Sequence, residues 1–93
     1  MSQSIVSKGV EKFSEGLLDE AEALFSSAIE AEPSNAEAWF LRGKTRRQMG
    51  NLIGANNDFY EAIHIDPNHQ QARVGVEMLQ QIFAFRNTDM YNV

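Results

Sequence analysis

The sequence predicts an all-α fold of two repeated helix pairs and one closing helix, and three observations predict it. Sliding the chain along itself by 34 residues places Gly9 on Gly43, Gly16 on Gly50, Leu18 on Leu52, Ala21 on Ala55, Phe25 on Phe59, Ala28 on Ala62, Ile29 on Ile63 and Pro33 on Pro67, without a gap. These residues are small, apolar or helix-breaking, the types that set helix contacts and helix ends, so the repetition is architectural. Within each unit apolar residues recur at three- and four-residue steps: Leu17, Leu18, Ala21, Leu24, Phe25, Ala28 and Ile29, then Leu52, Ala55, Phe59, Ala62 and Ile63. That spacing marks an amphipathic helix. Glycine and proline punctuate these runs, at the places where helices end.

Five helices follow in order, over 2–15, 18–31, 35–49, 52–65 and 69–86. The first contains Gly9 and is closed by Gly16, where a left-handed residue is wanted. The second stops before Pro33, and Ser34 and Asn35 supply the cap of the third. The third contains Gly43 and is closed by Gly50. The fourth stops before Pro67, with Asn68 as the next cap. Gly9 and Gly43 sit inside helices, at a cost of about 0.5 to 1 kcal/mol each relative to alanine. Close helix packing is expected to offset that cost, with Ala21, Ala28, Ala55 and Ala62 on the facing side. The fifth helix starts as a third unit would, with Ala72 one period after Ala38, but Glu77 stands where the glycine is due. A short polar tail, 87–93, is expected to be loose.

Composition narrows the functional classes. A chain of 93 residues, 43% apolar and 23% charged, is a single globular domain rather than a disordered or membrane protein. A chain this short buries about 60 to 65% of its unfolded surface, so its stability margin is thin and self-association would help. Cysteine is absent, which removes disulfides, thiol catalysis and thiolate metal sites. The N-terminus, MSQSIVSKGVEKF, has no apolar run of signal-peptide length, and nowhere do about 18 apolar residues follow one another. A cytoplasmic location and no membrane partner are expected. The net charge of −5 points away from nucleic acid.

The stretch AWFLRGKTRRQMG (38–50) ends in a phosphate-loop-like GKT. A phosphate loop, however, needs a first glycine, where this chain has Ala38, and a preceding strand, where it has helix. Arg42, Lys44, Arg46 and Arg47 form a basic cluster, but they spread around a helix without an aromatic stacking platform. His64 and His69 lack acidic or thiol partners at ligand spacing. No Ser, His and Asp set is suggested. Neither enzyme activity, nor a metal, nor a cofactor is expected.

The order Trp39-x-x-x-Gly43, Gly50, Ala55-x-x-x-Phe59-x-x-Ala62, Pro67 resembles the tetratricopeptide repeat. The first unit keeps Gly9, Gly16, Ala21, Phe25, Ala28 and Pro33, with Ile5 in place of the usual tryptophan. Lys8, Lys12, Arg42 and Arg46 stand where the family has leucine and tyrosine. The resemblance implies a fragment of a right-handed α-solenoid: repeat one over 2–35, repeat two over 36–69 and a covering helix over 69–86, in one domain spanning 1–93.

It also implies a division of faces, in which the first helix of each pair lines a concave groove and the second forms the back. Every Lys and Arg lies on a first-type helix or the last one: Lys8, Lys12, Arg42, Lys44, Arg46, Arg47, Arg73 and Arg86. The second-type helices carry Asp19, Glu20, Glu22, Glu30, Asp58 and Glu61 instead. A basic groove on an acidic back is therefore expected. By family position the groove holds Gln3, Val6, Val10 and Phe13, then Glu37, Phe40, Lys44 and Arg47, then Gln71, Val74, Met78 and Gln81. The two-carboxylate clamp known in the family is absent, because Val6, Val10, Leu41, Gln71 and Gly75 stand at its Lys, Asn, Asn, Lys and Arg positions.

The expected function is non-catalytic binding of a peptide or protein surface, acidic and apolar in character, with Lys44 and Arg47 on the acid and Val6, Val10, Phe40 and Met78 on apolar side chains. Arg42 is expected to pair with Asp58. The last helix has two apolar stripes. Ala72, Val76, Leu79 and Phe83 suffice to cover the preceding repeat, which leaves Val74, Met78, Ile82 and Phe85 for a partner, for the chain's own groove or for a homodimer. Self-assembly through the groove and this helix is the competing reading.

Overall fold

The computed structural model describes residues 2–91, with side chains up to residue 85. Five helices follow one another: α1 (Ser2–Ser14), α2 (Leu18–Ala31), α3 (Ala36–Gln48), α4 (Leu52–Ile65) and α5 (Gln70–Tyr91). No strand occurs among the described residues. The short turns fold α1 against α2 and α3 against α4, α2 then packs on α3 and α4 on α5, and α3 meets every other helix.

The turns are made as their glycines require. Gly16 and Gly50 have φ of 80° and 88°, the left-handed region that glycine enters without a Cβ penalty. Leu17 N–H donates to Lys12 O and Gly16 N–H to Phe13 O, both at 3.0 Å; Asn51 N–H donates to Arg46 O at 2.8 Å and Gly50 N–H to Arg47 O at 3.0 Å. These paired bonds satisfy carbonyls that a helix C-terminus leaves open.

At the N-termini, Asn35 Oδ1 accepts from Ala38 N–H at 3.2 Å and Asn51 Oδ1 from Gly54 N–H at 3.0 Å. Asn68 does not cap α5 as expected. Its own N–H donates to Asp66 Oδ1 at 3.1 Å, and His69 Nδ1 accepts from Ala72 N–H at 3.2 Å. The expected stop at 86 with a loose tail is also corrected: helix continues to Tyr91, and residues 92 and 93 lie outside the described residues.

Two apolar clusters fill the stack. Val6, Ala21, Phe25, Ala28, Ile29 and Ala38 form the first; Phe40, Ala55, Phe59, Ala62, Ala72, Val76 and Leu79 form the second. Trp39 and Leu41 touch both and join them. The helix glycines face rings, not the alanines expected. A Cβ on Gly9 would stand 2.5 Å from Phe25 Cε1, and one on Gly43 would stand 2.8 Å from Phe59 Cδ1. Gly75 meets the same Phe59 ring, with its Cβ position 2.7 Å from Cε2. Each ring thus fills the space that the missing side chains leave, which is the packing reason for glycine within a helix.

Candidate binding groove

The cations of α3 separate into two classes. Arg42 and Arg46 are committed to structure. Arg42 Nε and Nη2 donate to Asp58 Oδ2 and Oδ1, each at 2.9 Å, and Arg42 Nη1 donates to Ser26 Oγ at 3.2 Å. Arg46 Nη1 reaches Asp58 Oδ2 at 3.3 Å and Arg46 Nε donates to Glu22 Oε2 at 2.8 Å. Asp58 is 2% exposed; a carboxylate so buried is tolerated because both oxygens are met by charged donors. The Arg42 guanidinium also lies 5.0 Å from the Trp39 ring, whose Nε1 donates to Pro33 O at 2.9 Å. The network ties α2, α3 and α4 together, and the pairing of Arg42 with Asp58 is the one the sequence suggested.

Lys44 and Arg47 are different. Both are half-buried on the α3 face toward α1 and α5, and among the described residues neither has a carboxylate partner. Lys44 Nζ sits 5.1 Å from the Phe13 ring centroid, and Arg47 Nη1 lies 4.0 Å from Met78 Sδ.

These two cations border a hollow of about 340 Å³ between α3 and α5, lined by apolar Phe40, Phe59, Val74, Gly75 and Met78, with Gln70 and Gln71 at its edge. A second hollow, about 50 Å³, lies between α1 and α3 and is lined by Val10, Phe13, Phe25, Leu41 and Lys44. The two are the same site in successive units. One period of 34 residues carries Val10, Phe13, Phe25, Leu41 and Lys44 onto Lys44, Arg47, Phe59, Gly75 and Met78, all of which line the larger hollow. Gly75 stands in the larger hollow where Leu41 stands in the smaller.

The groove residues fall unequally around this geometry. Phe40, Lys44, Arg47, Val74 and Met78 converge on the larger hollow, and Val10, Phe13 and Lys44 on the smaller. Gln81 is exposed on α5 but does not line either. Val6 is corrected: at 4% exposure it belongs to the first core cluster, where it supports α1 against α2 rather than facing a ligand. Phe59 and Gly75 are additions. Their signal lay in the register, which places Gly75 one period after Leu41.

A broader depression of about 570 Å³ between α1 and α2 is lined by Lys8, Glu11, Lys12, Glu20, Ala23 and Leu24. The same period carries Lys8, Glu11 and Lys12 onto Arg42, Thr45 and Arg46, the side of α3 on which α2 packs. That side is apolar or fully buried at Ala38 and Thr45, whereas α1 presents exposed Ser4, Ser7 and Glu11 there. The depression is thus an end face of the stack with a charged, wetted surface. Exposed large apolar residues stand at Val10 of α1 and at Val74, Met78, Ile82 and Phe85 of α5, and others at Leu17, Met49, Ile53 and Tyr60.

The tetratricopeptide-repeat family model matches residues 36–69, the α3–α4 hairpin and the turn that follows it. Residues 36–69 are thus a tetratricopeptide repeat. Tetratricopeptide repeats mediate protein–protein interaction, and the all-α hairpin stack seen here is their fold. No curated protein matches the chain. No described helix is long and apolar enough to cross a membrane, and among the described residues no group of three or more His, Cys, Asp or Glu is placed to hold a metal ion. His69 Nδ1 accepts the α5 cap bond from Ala72 N–H, and its Nε2 lies 3.8 Å from Glu37 Oε1.

Proposed function

We propose that this chain is a non-catalytic interaction module whose groove, between α3 and α5, takes a protein or peptide surface of acidic and apolar character. The observation that carries the reading is the pair Lys44 and Arg47, without carboxylate partners among the described residues, beside the apolar hollow over Phe59. An apolar side chain entering the hollow contributes about 1.5 to 3 kcal/mol if fully buried. A carboxylate beside it meets two half-buried cations, one of which can bond it in bidentate fashion. The internal engagement of Arg42 and Arg46 weakens the nucleic-acid alternative, since half of the basic cluster on α3 is neutralised by Asp58 and Glu22.

Fluorescence anisotropy with labelled synthetic peptides tests the reading, using Leu- and Phe-containing peptides rich in Asp and Glu beside the same peptides carrying Lys. The acidic set binds wild type and is lost with Lys44→Glu/Arg47→Glu, while stability changes by less than about 1 kcal/mol because no native ion pair is broken. Unchanged affinity in the double variant overturns the assignment.

A second reading has its own observation. Val74, Met78, Ile82 and Phe85 of α5 are exposed in the single chain, and a homodimer through α5 and the groove buries them.

A further inference from the structure

We infer that Met78 is a site of reversible oxidation whose sulfoxide oxygen is held by Arg47, closing the hollow over Phe59 to an acidic and apolar partner. The consequence for binding rests on the groove reading above; the oxidation and the bond to Arg47 do not.

Composition and exposure place this sulfur in the path of an oxidant. The chain has four methionines and no cysteine, so no thiol competes and the thioethers are its oxidisable sulfur. Met78 is 48% exposed and lines the hollow of about 340 Å³ beside Phe40 and Val74. Met49, at the end of α3, is also exposed but lines neither hollow.

The oxidant is hydrogen peroxide. The thioether sulfur donates an electron pair to one peroxide oxygen, so that an S–O bond forms and the O–O bond breaks. The proton on the transferred oxygen passes to the departing one, which leaves as water. Sulfur is oxidised by two electrons, peroxide is reduced by two, and no further reactant is needed. The product is a polar side chain that methionine sulfoxide reductases return to the thioether.

Arg47 gives the new oxygen a partner. Its Nη1 lies 4.0 Å from Met78 Sδ, so an oxygen added on that side comes to about 3 Å from the nitrogen, the ordinary length of an N–H···O bond. Among the described residues no carboxylate competes for the guanidinium. The thioether is a weak acceptor, and the polarised S–O bond makes its product a better one. Oxidation therefore changes both halves of the groove together. An apolar wall becomes polar, and a carboxylate arriving at the hollow meets Lys44 alone.

The test treats the full chain with hydrogen peroxide and locates the modified residues by mass spectrometry. Met78 is expected to gain one oxygen. The Arg47 side-chain N–H signals in heteronuclear NMR should then shift in wild type but not in Met78→Leu, in which the other methionines still oxidise. Affinity for the acidic Leu- and Phe-containing peptides should fall about tenfold, the scale of burying a polar group in an apolar site, and recover after treatment with the reductases. Met78→Gln, with a carbonyl acceptor at similar reach, should match the oxidised chain, Met49→Leu should respond as wild type does, and circular dichroism should show each variant helical. A Met78 that stays reduced while Met49 is oxidised overturns the inference, as do unchanged Arg47 signals or unchanged affinity in the oxidised chain. If no peptide binds the untreated chain, the groove reading falls and the Arg47 signals alone decide the sulfoxide bond.

Discussion

Arg42 reaches from α3 to both carboxylate oxygens of Asp58 on α4, at 2.9 Å each, and no other described ion pair has both partners so deeply buried. The bond is less a source of net stability than a constraint on how the hairpin closes, because desolvating two charges consumes most of what their attraction returns.

Asp58→Ala should therefore be costly out of proportion to the bond. It leaves Arg42 and Arg46 facing one another over a small void, with an expected loss of about 3 kcal/mol. Replacing Arg42 and Asp58 together by Met and Leu removes both charges and should cost clearly less. Urea unfolding followed by circular dichroism measures both; equal losses in the single and double variants would show that the charges are solvated rather than mutually dependent.

The contact of Gly43 with Phe59 sets a second expectation. Alanine is the better helix former by about 1 kcal/mol, so Gly43→Ala would stabilise an isolated helix. Here its methyl lands 2.8 Å from the ring and 3.1 Å from Asp58 Cβ. Overpacking by about 1 to 3 kcal/mol should outweigh the propensity gain. A raised melting temperature for Gly43→Ala would contradict this packing.

His69 caps α5 through Nδ1, and its ring packs against Phe40 with centroids 4.9 Å apart. His69→Ala should cost about 1 kcal/mol or somewhat more, and His69→Asn should recover the cap though not the ring contact. The recovery separates the two roles: if asparagine performs no better than alanine in thermal unfolding, the cap contributes nothing.

Legibility in the sequence varied with the range of the interaction. Gly16 and Gly50 were readable because a helix end is a local event, decided by the residue that must take a positive φ. The cap of α5 was misread by one residue: Asn68 is the commoner capping type, and nothing local announces that an imidazole will do the same work. The glycine partners were misread for a different reason. Small residues opposite small residues is a sound pairwise rule, but a phenyl ring laid flat over a missing Cβ fills the same space, and only the crossing of the helices chooses between them. Val6 followed the family position into the groove, whereas the rotation of α1 turns it into the core.

The sequence by itself determined the all-α class, the repeated hairpin and the turns, since each depends on periodicity or on local backbone preference; the Arg42–Asp58 pair followed from the family resemblance, as the first unit has Lys8 and Leu24 at those positions. Tertiary structure alone decided which cations of α3 are occupied and which stay unpaired, and how large a hollow each unit keeps. Both depend on how far two helices stand apart and what lies between them: among the described residues Lys44 and Arg47 have no carboxylate partner, and Gly75 lines the larger hollow where Leu41 lines the smaller. A one-dimensional pattern records which residues recur, but the space between them exists only once the helices have packed.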